Sequence, residues 1–158
     1  MSRASSIEEL AAAVRGHARG RGMTVSVAES LTGGALSAAL AKAGDASEWF
    51  AGGVVAYRNA TKYRALGVPE GPVVSRAAAR AMALGVLELT GADAAVAVTG
   101  VGGPGEEEGH PAGTVFVGAA TAHGVEDFAH HFAGTPDEIV ERTIEHALRH
   151  LTDALRGR

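Results

Sequence analysis

Two short stretches of this chain hold the groups that could do chemistry. In Val27-Ala28-Glu29-Ser30-Leu31-Thr32-Gly33-Gly34 an apolar run gives way to two hydroxyls and a glycine pair. Further on, Tyr57, Asn59 and Lys62 offer a phenol, an amide and an amine within one structural unit. A serine hydroxyl becomes a useful nucleophile where a neighbouring base takes its proton. A lysine serves as that base only when neutral, a state favoured by burial or by nearby positive charge. Other roles are open to the same residues. Ser30 or Thr32 could simply cap a helix, and Gly33 and Gly34 could turn backbone N–H groups toward a phosphate or an oxyanion. Ser30 is thus cap, phosphate ligand or nucleophile, while Lys62 and Tyr57 could equally be a solvated lysine and a half-buried tyrosine.

A third stretch, Thr99-Gly100-Val101-Gly102-Gly103-Pro104, has the glycines that permit close backbone approach to a ligand. It is neither a Walker A loop, since no Gly-Lys-Ser or Gly-Lys-Thr follows, nor a dinucleotide fingerprint. Glu106, Glu107 and Glu108 read as a solvated loop tip. His130 and His131 fall on one predicted strand, and His146 and His150 stand at i, i+4 on a helix. With no third ligand evident for that helical pair, surface histidines and no metal site are expected.

Placing these groups is the work of alternating helices and strands. Ser5 or Ser6 can cap a helix with Ile7, Leu10, Ala11 and Val14 on one face, ending near Gly20 and Gly22. Residues 23–28 form a buried strand and 34–43 an alanine-rich helix, so Ser30 lies at their junction. Val54 to Ala56, after Gly52-Gly53, centre a second strand, and 59–66 have helical composition, so Tyr57 and Lys62 straddle a strand-to-helix turn. Ser75 can cap a long helix over 76–89, and 94–99 are a continuous apolar strand. The glycine- and proline-rich 100–113 must be a loop. Residues 114–120 and 125–132 form an antiparallel hairpin around His123-Gly124, and Thr135-Pro136 starts a C-terminal helix. Helical crossovers favour parallel pairing and the hairpin cannot be parallel, so the expected fold is a single-domain, three-layer α/β/α sandwich with a mixed sheet. Functional groups should gather at the strand ends after Ala28, Ala56 and Thr99.

Composition narrows the function. The 158 residues are 46% hydrophobic, enough for one core-bearing domain, and include no cysteine. Disulfides, thiol nucleophiles and cysteine metal sites are thereby excluded. With a formal charge of −4 and scattered Lys and Arg, no basic stripe is available to track a phosphate backbone, and nucleic acid is not an expected partner. The N-terminus has no signal-peptide core and no run approaches the ~20 apolar residues of a membrane span. A cytoplasmic protein with no membrane partner is expected.

In combination, Ala28-Glu29-Ser30-x-Thr32-Gly33-Gly34, Trp49-Phe50 with Gly53, Tyr57-x-Asn59-x-x-Lys62, Gly67-Val68, Val74-Ser75, Thr99-Gly100-x-x-Gly103-Pro104 and Pro111-x-Gly113-Thr114-Val115 closely resemble the CinA C-terminal domain family, over about residues 5–155. Leu31 stands where that family often has cysteine, and Val101-Gly102 where Ile-Ala is usual. The resemblance implies a nicotinamide-nucleotide amidase of the PncC type, hydrolysing the carboxamide of nicotinamide mononucleotide to nicotinic acid mononucleotide and ammonia in pyridine nucleotide recycling, with no metal or organic cofactor. By the same resemblance Ser30 is the nucleophile, and Lys62 and Tyr57 share its deprotonation and the protonation of departing ammonia. Amides around Thr32, Gly33 and Gly34 would hold the oxyanion, and Asn59, Thr99, Gly100, Gly103 and Thr114 would line the pocket. Arg142 would meet the nucleotide phosphate. A homodimer or larger assembly is implied, with Trp49-Phe50 as an apolar contact, and a stand-alone amidase without the larger N-terminal domain of full-length CinA proteins is expected. The alternative is a non-catalytic nucleotide- or phosphate-binding module of a competence or DNA-damage related protein.

Overall fold

The computed structural model describes residues 3–157. Helix α1 (Arg3–Arg21) leads into strand β1 (Val25–Glu29), followed by helices α2 (Ala35–Ala41) and α3 (Ala46–Trp49) and strand β2 (Phe50–Val55). Helices α4 (Asn59–Leu66) and α5 (Arg76–Thr90) then precede strands β3 (Ala94–Gly100), β4 (Thr114–Thr121) and β5 (Gly124–His131) and helix α6 (Pro136–Leu155). The sheet order is β2-β1-β3-β4-β5. Strand β1 pairs parallel with β2 and β3, whereas β3–β4 and β4–β5 are antiparallel. The mixed sheet follows from the connections, since helices return the chain to the same edge between β1, β2 and β3, and a tight turn cannot.

Strand β3 shows why there are two helical layers. Its side chains alternate, so Ala94, Val96 and Val98 enter one core with Val14 of α1, Leu36 of α2 and Leu148 of α6. Ala95 and Ala97 enter the other, with Leu66 of α4 and Met82 and Val86 of α5. The chain is therefore an α/β/α sandwich, as expected. The second layer sits close to its neighbours because small residues line it. At Gly85 a β-carbon would run into the Leu66 carbonyl, so this glycine is what lets α5 press against the C-terminal end of α4.

Caps behave as the sequence predicts at two helices. The Ser75 hydroxyl accepts from the Ala78 N–H (3.1 Å), and Thr135 and Glu138 form a reciprocal capping box at α6. Three expectations need correction. Ser5 and Ser6 lie inside α1 rather than ahead of it. Gly52 and Gly53 belong to β2, which starts at Phe50, because the extra helix α3 delivers the chain directly into the strand. Trp49 is not an exposed contact: it is 1% exposed, packed in the first core, with its indole N–H donating to the Gly44 carbonyl (2.9 Å). Among the described residues, Val55, Tyr57, Leu84 and Leu89 are the exposed large apolar residues instead. Among the described residues no helix is long and apolar enough to cross a membrane.

Candidate active site

The C-terminal ends of β2, β1 and β3 lie side by side, and the three sequence clusters meet there. Ser30 follows directly on β1, and the Ala56 N–H donates to the Glu29 carbonyl (2.8 Å), holding the two strand ends together. Ser30 is buried at 7% exposure, and among the described residues nothing hydrogen-bonds its hydroxyl. It is not a helix cap.

That task falls to Glu29, a residue the sequence reading left without a role. Its carboxylate is buried and accepts from the Thr32 hydroxyl (2.6 Å), the Gly34 N–H (3.2 Å), the Leu36 N–H (2.9 Å), and the Ser37 N–H and hydroxyl (2.9 and 2.6 Å). A carboxylate on the orphan amides of a helix start satisfies them and opposes the helix dipole. The available signal was a glutamate ending a buried strand, with donors Thr32 and Ser37 at helix-start spacing. The consequence corrects the expected oxyanion donors. Gly34 N–H is committed to Glu29 and Gly33 N–H to the Ser30 carbonyl (3.0 Å), so neither points at a ligand. Among the described residues, the amides of Leu31 and Thr32 have no acceptor.

Lys62 occupies the first turns of α4 and is 1% exposed. Its Nζ donates to the Tyr57 carbonyl (3.1 Å), one residue beyond the Ala56 that clasps β1. Burial pushes the Lys62 ammonium below its usual pKa, opposed in part by the negative charges of Glu107 and Glu108. Tyr57 is 67% exposed, so it meets Lys62 through its backbone oxygen while the phenol stands in solvent. Asn59 is exposed at the first position of α4.

The glycine loop does not dangle. The carboxylate of Glu108 accepts from the Val73 N–H (3.1 Å) and the Val74 N–H (2.8 Å), and the Thr99 hydroxyl donates to the Val73 carbonyl (2.8 Å). Glu106, Glu107 and Glu108 are all exposed, as expected, but the last of them is anchored. It folds back to close the segment before α5 and places negative charge near Lys62. Other predicted lining residues also make structural contacts. A β-carbon on Gly100 would strike the Thr114 carbonyl, so this glycine serves β3–β4 pairing, and the Thr114 hydroxyl donates to the Pro111 carbonyl (2.8 Å). Gly103 has φ +82°, with Ala112 and Ile139 against it. Gly102 faces Leu31, which brings the loop against the serine turn. On α6, Arg142 lays its guanidinium over the Phe132 ring (5.1 Å).

One grouping was not anticipated. His130 of β5 joins His146 and His150 of α6, a pairing invisible in sequence because the strand and the helix meet only in the fold.

Residues 7–155 match the family described as CinA C-terminal domain. The chain belongs to the CinA C-terminal domain family. Among CinA relatives, it is 43% identical over 134 residues to a CinA-like protein of Desulfotalea psychrophila, covering 81% of this chain and 32% of that protein. It is 38% identical over 157 residues to a putative competence-damage inducible protein of Bacillus pumilus, covering 96% and 37%. The chain thus spans about a third of the length of these curated relatives. A solved CinA superfamily protein from Klebsiella pneumoniae superposes with a TM-score of 0.91 at 33% identity, covering 96% of this chain and 99% of the other. One from Escherichia coli gives 0.91 at 31%, covering 98% and 93%.

Proposed function

We propose that this CinA-family domain is an amidohydrolase that cleaves the carboxamide of nicotinamide mononucleotide, releasing ammonia and nicotinic acid mononucleotide. The observation that carries the reading is a buried lysine with a depressed pKa, tied through the Tyr57 carbonyl to the end of β2, whose Ala56 amide clasps the end of β1 where a buried serine hydroxyl has no competing partner among the described residues. Neutral Lys62 takes the proton as the Ser30 Oγ attacks the carboxamide carbon. The Leu31 and Thr32 amides are the donors left for the oxyanion, each such donor being worth about 3 kcal/mol in the transition state. Collapse expels ammonia once its nitrogen has been protonated, from Lys62 or from the Tyr57 phenol at the mouth of the site. Water then hydrolyses the acyl-serine. Asn59, Thr32 and the loop from Thr99 to Gly103 border the substrate, and Arg142 binds the nucleotide phosphate.

The domain acts as a homodimer or larger assembly in the cytoplasm in this reading. Exposed Val55 and Tyr57, adjoining the site, replace Trp49 as the apolar contact. Light scattering at micromolar concentration tests the assembly, and a monomer overturns it. The activity is tested by ammonia release from nicotinamide mononucleotide. Ser30→Ala should lose at least about 10⁴-fold in kcat with its fold retained. Undiminished turnover in Ser30→Ala, or none in the parent protein, rejects the amidase. Tight nucleotide binding without ammonia would support a non-catalytic module instead.

A further inference from the structure

None of His130, His146 and His150 takes part in the proposed serine chemistry, although Arg142, assigned there to the substrate phosphate, packs on Phe132 next to them. One strand and one helix build the grouping. His130 sits on β5, the edge strand, in register with Val115 of β4, while His146 and His150 are one turn apart on α6. One ring nitrogen from each residue lies within 4.8 Å of those of the other two, and Nε2 of His130 is 2.9 Å from Nε2 of His150.

That spacing suits a shared ion. Bonds of about 2.0–2.1 Å from a tetrahedral metal to imidazole nitrogens set neighbouring nitrogens roughly 3.3 Å apart, a separation these rings reach by small side-chain rotations. The surroundings are those of a ligand set held in place. Phe128 stacks on His150 (3.8 Å between centroids), and Phe132 lies against His130 (5.3 Å) and His146 (4.9 Å), limiting ring motion and water. Arg142 and Arg149 near His146 oppose a cation, whereas Glu145 and Asp153 favour one. His150 also forms part of the wall of an open cavity of about 500 Å³ shared with Glu126 and Asp153, which gives an ion a way in and room for a water as fourth ligand.

We propose that His130, His146 and His150 form a three-histidine site for one divalent transition-metal ion of the zinc class, tying the edge strand β5 to helix α6. Three neutral imidazoles suit Zn²⁺, Co²⁺, Ni²⁺ or Cu²⁺ and are poor ligands for Mg²⁺ or Ca²⁺, which demand oxygen. The bound ion adds a link between two elements that meet here through stacked rings, so its binding raises stability by mass action.

The test uses the untagged full chain, stripped with chelator and titrated with Co²⁺ alone. One equivalent should bind with visible d–d absorption and be displaced by Zn²⁺, and Zn²⁺ should raise the melting temperature. His146→Asn and His150→Asn should each weaken binding at least about 100-fold, while His17→Asn and His131→Asn should leave it unchanged. Binding of equal affinity in the His146 and His150 variants, or no saturation below about 1 mM Co²⁺, overturns the site. Should those variants fail to fold, Zn²⁺-soaked crystals of the parent protein decide: an anomalous peak among the three rings supports the proposal, and a peak elsewhere or none rejects it. Ammonia release plays no part in these readouts, so the two proposals stand or fall separately.

Discussion

The serine turn is a buried polar grouping and the histidine cluster a half-buried one, and they are satisfied in opposite ways. Around Ser30, nearly every polar side chain is engaged with backbone: Glu29 with α2, Thr99 and Glu108 with Val73 and Val74, Lys62 with Tyr57. Among the described buried side chains of that turn, the serine hydroxyl is left without a partner. Around His130 the rings meet chiefly one another and phenylalanine. A reactive group surrounded by committed neighbours has a fixed position and no internal competitor, which suits bond making. The histidine rings are held by phenylalanine, but their nitrogens face mainly each other and lack polar partners of that kind, which an ion would provide.

The largest break in this contrast comes from Lys62. Replacing it with Met should lower the rate of ammonia release by about 10²–10⁴-fold. The same change removes a buried amine, so the urea midpoint should hold or rise. A collapse in both would make Lys62 a structural support instead. Next is Glu29→Ala, which strands the Leu36 and Ser37 amides and should cost about 3 kcal/mol or more in denaturant unfolding. Activity should fall with it, because the turn carrying Ser30 loses its anchor.

A gentler probe is electrostatic. The carboxylates of Glu107 and Glu108 favour the Lys62 ammonium against burial. Removing one by Glu107→Gln should therefore favour the neutral amine and move the rising limb of the pH–rate profile toward lower pH. A shift to higher pH, or none, would detach the limb from Lys62. The smallest effect is expected on the far surface, where Asp127 bonds to Arg76 (2.6 Å) and Arg80 (3.1 Å). Those arginines hold the Asp127 carboxyl below its usual pKa. The stability it contributes is thus present above about pH 4 and is lost as pH falls through the lowered value. Asp127→Asn should cost no more than about 1 kcal/mol at pH 7 and leave ammonia release unchanged.

Much of the fold was legible because apolar periodicity and caps act locally: Ser75 and Thr135 cap as their neighbours dictate, and the alternation of β3 forces two helical layers. The convergence of Ser30, Lys62 and Thr99 was also readable, through the rule that parallel strands gather their loops at one end. What escaped was side-chain pairing between distant segments. Glu108 reaches Val73 across 35 residues and His130 reaches His150 across 20, and no spacing rule links them. Glu29 escaped for another reason. A charged residue in a strand reads as an end, and its capping role exists only once α2 folds back over it.

Helix α2 spans seven residues, far below the length at which a helix holds itself together in water. Its first turn is fastened to β1 by one carboxylate, so it has little means of opening while the strand stays closed. Hydrogen exchange should show this directly. The Leu36 and Ser37 amide protons should exchange as slowly as those of the central strands, and a short surface helix would report the opening of the whole sheet.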